Sequence, residues 1–113
     1  MGLFSPGGVH SHQDQILALA KDVSEVGIKV WIHAFLDGRD TPPQSAIQYL
    51  KILEEFCSKT PHVKVGTIGG RYYGMDRDKR WERIEKAYRA LVDAQGPKAN
   101  SALDALQDNY SNN

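Results

Sequence analysis

The run IKVWIHAFL, residues 28–36, decides the fold class. It is apolar almost throughout and carries β-branched and aromatic side chains at positions of both parities. A strand with one wet face alternates apolar and polar residues. This one does not, so it is predicted to be covered on both faces, as in a parallel sheet. Parallel neighbours need crossover connections, and helical patterns lie on either side of it.

Downstream, DGRDTPPQ (37–44) places Thr41 as an N-cap, Pro42 at the first helical position and Gln44 at the third. Ile47, Leu50, Leu53 and Cys57 then follow at helical spacing, ending near KTPH (59–62). VKVGTIGG (63–70) reads as a second, glycine-richer strand. Beyond it, Trp81, Ile84, Tyr88 and Leu91 form an apolar helical stripe with Trp81 at the head of the core face. GPKAN (96–100) breaks that helix, Ser101 with Asp104 opens a short last one, and DNYSNN (108–113) is expected to fray. Upstream, a helix is predicted from Gln13 to Glu25, with Ser11 and Asp14 as its capping box and Gly27 as its stop. Met1 to Phe4 reads as the first strand, turned by SPGG. Alternating strands and helices give an α/β fold: a parallel sheet with flanking helices. Three strands beginning at residue 1 are few for such a sheet, and the chain is expected to be a piece of something larger.

The totals narrow the function classes. A length of 113 residues is one domain, and 41% hydrophobic with 25% charged residues is ordinary for a globular protein. Fourteen basic residues balance fourteen acidic ones, which disfavours electrostatic binding of nucleic acid. No apolar run approaches the ~20 residues of a membrane span, and MGLFSPGG lacks the features of a signal peptide. Cys57 is the single cysteine, set among Ile52, Leu53 and Phe56 as a small apolar residue. A soluble, cytoplasmic protein without membrane or nucleic-acid partners is the expectation.

Each predicted strand ends in an unusual loop: SPGGVHSH (5–12), DGRD (37–40) and GGRYYGMDRDKR (69–80). In an open parallel sheet ligands sit beyond the carboxyl ends of the strands, so the three loops converge on one edge. Arg39, Arg71 and Arg77 offer planar forks for carboxylate or phosphate. Asp40, set among these cations, can accept a proton from a substrate hydroxyl. Asp37 and Asp40 read equally as turn or cap residues. His10 and His12 have a spacing seen at metal sites, but no cysteine or clustered carboxylate completes a ligand set. His33 reads as a core histidine and His62 as a loop residue. Asp76, Asp78, Lys79 and Arg80 read either as part of the site or as a group pairing with one another in solvent, the reading favoured for Lys79. The Tyr72–Tyr73 pair is ambiguous in sequence, since one can face the core and the other the site.

Taken together, GGVHSH, HAFLDGRDTPP and GRYYGMDRDKRWER resemble the cofactor-independent phosphoglycerate mutase family, over nearly the whole chain. The resemblance implies an isomerase of glycolysis that interconverts 3-phosphoglycerate and 2-phosphoglycerate through a phosphoserine intermediate, without 2,3-bisphosphoglycerate. It implies two Mn2+ or similar divalent ions held in a phosphatase-like domain that residues 1–113 do not match. The chain resembles part of the second, substrate-binding transferase domain, an α/β/α unit. Carried over residue by residue, His10, Arg39, Asp40, Arg71 and Arg77 match substrate-contacting positions, with Asp40 as the general base. Where the family often has a third histidine in HSHxxH, this chain has Gln15. The implied partners are phosphoglycerate and the remainder of a mutase chain, and the isolated chain is expected to be inactive. The rival reading is a non-catalytic phosphoglycerate- or anion-binding module.

Overall fold

Backbone hydrogen bonds laid down by three short apolar segments organise the molecule. The computed structural model describes residues 1–112. The order of elements is β1 (Gly2–Leu3), α1 (Gln13–Glu25), β2 (Val30–Leu36), α2 (Ala46–Lys59), β3 (Val63–Gly70), α3 (Arg71–Gly74), α4 (Trp81–Val92) and α5 (Ala102–Ser111). The strands form one parallel sheet in the order β1-β2-β3. Both crossovers therefore step in the same direction across the sheet, and right-handed connections put α1 and α2 on the same face.

The core confirms that placement. Phe4, Ala20 of α1, Ile32 and Ala34 of β2, Leu50 and Leu53 of α2, Val63 of β3 and Leu106 of α5 form one buried cluster. All of β2's contribution comes from residues of one parity. The other parity, Trp31, His33 and Phe35, looks away from these helices, and Trp31 is 56% exposed. The expectation of a strand covered on both faces is thus met on one face only among the described residues. Phe35 is partly covered by α3, whose Gly74 lies against its ring. His33 is half-buried, its Nδ1 3.0 Å from Thr67 Oγ1, and burial pushes its pKa down, with the N-terminal charge adding to the effect.

The register contains one irregularity. Ile32 pairs with Val65, but His33 pairs with Thr67, so Gly66 is an extra residue on β3. A Cβ at Gly66 would stand 2.7 Å from the His33 ring, which is why the bulged position has no side chain.

Helix starts and exposed stripes depart from expectation in four places. The cap of α1 is His12, whose Nδ1 accepts from Asp14 N at 3.1 Å, whereas Ser11 Oγ donates to the Leu3 carbonyl. Thr41 does not open α2: its Oγ1 accepts from Gly38 N, and Ser45 donates through both its backbone N and its hydroxyl to the Pro42 carbonyl. That turn, with Gln44 at positive φ, delays the helix to Ala46. Trp81 is not core but 69% exposed, and α4 buries none of its residues among the described ones. The last helix starts as read, with Ser101 Oγ accepting from Asp104 N, yet continues to Ser111 through most of the segment expected to fray; Asn113 lies outside the described residues. Cys57 is half-buried with its thiol pKa raised by burial and by Glu54, which suits an inert packing residue.

Candidate functional site

The carboxyl ends of the three strands deliver their loops to one edge, and a polar network joins them there. After β1, Ser5 is fully buried and its hydroxyl donates to Asp37 Oδ2 at 2.7 Å. Gly7 N donates back to Ser5 Oγ, closing the SPGG turn. A Cβ at Gly7 would lie 3.0 Å from Asp40 Cβ and 3.2 Å from Asp37 Oδ2, so the first loop can approach the second only without a side chain.

After β2, Asp37 bends the chain around itself. Its Oδ1 accepts from the backbone N of Arg39 at 3.0 Å and of Asp40 at 2.9 Å, a side-chain turn of the kind short acidic residues favour. After β3, Arg71 is the first residue of α3 and reaches back over the edge. Its Nη1 donates to Asp40 Oδ2 at 2.7 Å and to Asp37 Oδ1 at 3.1 Å, and its Nη2 lies 3.4 Å from His10 Nε2. A guanidinium only donates, so His10 meets it as an acceptor.

The electrostatics follow from this wiring. Burial alone would raise the Asp37 carboxyl. The hydrogen bonds from Ser5, from the backbone of Asp40 and Arg39 and from Arg71 outweigh it and hold the group at about 2. Arg71 is pushed up by its hydrogen bond to Asp40, with Asp37 adding to the same effect against the cost of burial. The Asp37 side chain is 1% exposed and that of Asp40 16%, so the first is sealed in and the second opens to solvent.

Three of the residues singled out in the sequence, His10, Asp40 and Arg71, are therefore brought into contact. Arg39 lies in the same loop, exposed, and its side chain makes no ion pair or hydrogen bond among the described residues. Arg77 follows α3, likewise exposed and unpaired among them. The residues the sequence undervalued are Asp37, read as either turn or site, and Ser5. The Asp-x-x-Asp spacing was the one available signal for the first; for the second there was none.

Asp76 is not part of a solvated group. It accepts from Asp78 N and Arg80 N and pairs with Arg83 at 3.2 Å. Arg83 also lies over the Tyr72 ring at 3.8 Å, and Tyr72 packs edge-on against Tyr73. Both tyrosines are exposed, so neither enters the core. His62 sits in an exposed turn, as expected. Among the described residues no three His, Cys, Asp or Glu side chains gather into a metal-binding set. No helix among them is long and apolar enough to cross a membrane.

Comparison with known proteins places the chain in a family. The family described as BPG-independent PGAM N-terminus matches residues 1–113. A 2,3-bisphosphoglycerate-independent phosphoglycerate mutase of Myxococcus xanthus is 53% identical over 112 residues, 98% of this chain and 22% of that protein. One of Clostridium botulinum is 50% identical over 114 residues, with the same 22% covered. A crystal structure of Leishmania mexicana phosphoglycerate mutase at low cobalt concentration superposes with a TM-score of 0.92 at 32% identity, over 99% of this chain and 22% of that one. The chain thus spans about a fifth of the length of the relatives it matches. By sequence over its full length and by fold, it belongs to the BPG-independent PGAM N-terminus family.

Proposed function

We propose that this chain is the glycerate-holding part of a 2,3-bisphosphoglycerate-independent phosphoglycerate mutase, which interconverts 3-phosphoglycerate and 2-phosphoglycerate. The observation that carries the reading is the convergence of His10, Asp40 and Arg71 at one sheet edge, flanked by the unpaired Arg39 and Arg77. Arg71 Nη1 is engaged by two carboxylates, while Nη2 faces His10 and remains to grip an incoming anion. Arg39 and Arg77 add the charge that a carboxylate and a phosphate on one small molecule require. Asp40, partly open to solvent, is the base that takes the proton of the glycerate hydroxyl.

In this reading the remaining parts of the reaction belong to other segments of a mutase chain: a phosphatase-like domain, a serine that carries the phosphoryl group, and two Mn2+ or similar ions. Those ions supply charge neutralisation at the transferring phosphoryl group. Among residues 1–112 no three His, Cys, Asp or Glu side chains gather to hold such an ion, so the roles given to this chain are binding and proton transfer. Residues 1–113 form part of the transferase domain, and alone they bind without turnover.

The test is a chimera in which this chain replaces the matching segment of the Myxococcus xanthus mutase. Interconversion of the two phosphoglycerates at a rate comparable with the parent's is expected. A folded chimera without mutase activity would sink the assignment. The non-catalytic reading is favoured by one feature, a site network that closes within the chain itself. An NMR titration of the chain with 3-phosphoglycerate separates the two readings when combined with the chimera: shifts at His10, Arg39 and Arg71 with an inactive chimera would leave binding alone.

A further inference from the structure

Arginine and a carboxylate left to themselves close into a two-point fork, with both oxygens taken. At this edge they do not. Arg71 meets Asp40 through a single contact, Nη1 to Oδ2, and no second bond joins Nη2 or Nε to Oδ1. The other hydrogen of Nη1 is drawn to Asp37 Oδ1. Asp37 is itself immobilised by Ser5 Oγ and by two backbone N–H groups, and with a side chain 1% exposed it cannot reach a ligand.

We infer that Asp37 is a positioning residue for the proposed reaction: by competing for Arg71 Nη1 it keeps the Arg71–Asp40 pair open, leaving Asp40 Oδ1 to act as base and Arg71 Nη2 to hold the substrate anion. This inference rests on the proposed mutase function for its catalytic consequence, but its geometric content stands without it. With the negative charge of Asp37 removed, the guanidinium swings wholly onto Asp40, and both the base and the anion grip are lost to one another. The Ser5 hydroxyl acts one step further out. It aims Asp37, and the Gly7 N–H in turn orients the hydroxyl.

Asp37→Asn is the informative substitution. The amide oxygen still accepts from Arg39 N and Asp40 N, so the turn is kept while the charge is lost. In the active chimera the variant should lower kcat by ~10–100-fold, at the low end of the ~10²–10⁴-fold scale of one general base because Asp40 itself is kept, and should raise KM as Arg71 Nη2 leaves the anion. Ser5→Ala should give a smaller fall of the same kind, and it serves where Asp37→Asn does not fold. A crystal structure of the variant chain should show Arg71 forked onto both oxygens of Asp40. Arg71 retaining its single contact, or kcat unchanged in a folded variant, overturns the inference. The mutase reading fails separately, if the unsubstituted chimera is inactive or if Arg71→Ala costs nothing. In that event the crystal geometry still decides the role of Asp37.

Discussion

Asp37 and Asp76 are built alike and do different things. Each side chain is 1% exposed. Each accepts from two backbone N–H groups just ahead of it in the chain, and each holds one arginine at 3.1 or 3.2 Å. The contrast lies in where the other partners come from. Ser5 and Arg71 are 32 and 34 residues away from Asp37, so its bonds tie three strand ends together. The farthest partner of Asp76 is Arg83, 7 residues on, and its bonds fold one loop into the start of α4. The arginines differ too. Arg83 lies flat on Tyr72, whereas Arg71 keeps a nitrogen directed at the open edge. A buried carboxylate with an arginine is therefore not a site by itself. It becomes one when its partners arrive from separate elements and leave donors exposed.

The largest expected effect that tests this contrast is Arg71→Ala in the chimeric mutase. Loss of one member of a desolvated charge pair should cost about 2–5 kcal/mol in kcat/KM. Arg83→Ala should leave kcat/KM unchanged, and a comparable loss there would break the contrast. Next in size, Asp76→Ala removes the acceptor for two loop N–H groups and should lower stability by ~1 kcal/mol in denaturant melts, on the scale of a lost cap. Because the turn that Asp76 holds carries Arg77, the affinity for 3-phosphoglycerate should fall less than in Arg71→Ala. An equal or larger loss in that variant would make Asp76 as much a part of the site as Asp37.

The smallest effect is a pH dependence. Asp37 sits at about 2 in the folded chain against an ordinary 3.8. A carboxyl lowered by folding contributes stability that is complete above the ordinary value and is lost as pH falls toward the folded one. The stability gap between the natural chain and Asp37→Asn should therefore hold steady at neutral pH and narrow between about pH 4 and pH 2. Urea melts across that range measure it, and a constant gap would mean that the charge of Asp37 is not what folding stabilises.

The parallel sheet was legible because IKVWIHAFL and VKVGTIGG are apolar by composition, which needs no knowledge of their neighbours. His10, Asp40 and Arg71 were legible because strand order alone sends their loops to one edge. The start of α2 was not, since Thr41 and Ser45 use their hydroxyls within the turn, and local propensity cannot weigh such bonds against a helix cap. The Trp81 stripe has the right period for a core face, but period says only that a face is apolar, not what lies against it. Asp37 was ambiguous for a related reason: its turn bonds are local, and the two that make it a hub cross more than thirty residues.

The bulge at Gly66 has a consequence for how this protein tolerates change. A strand alternates sides with every residue, so one added residue inverts the phase of everything after it. Before Gly66, Val63 and Val65 face the core; after it, Ile68 does. The extra residue thus sets the side on which β3 ends, and with it the side on which Arg71 leaves the sheet. Deleting Gly66 would remove no contact made by the site, yet it would turn the arginine away from Asp37 and Asp40. The length of this strand is part of the site's address: changes at its exposed positions leave Arg71 in place, whereas a single-residue deletion moves it.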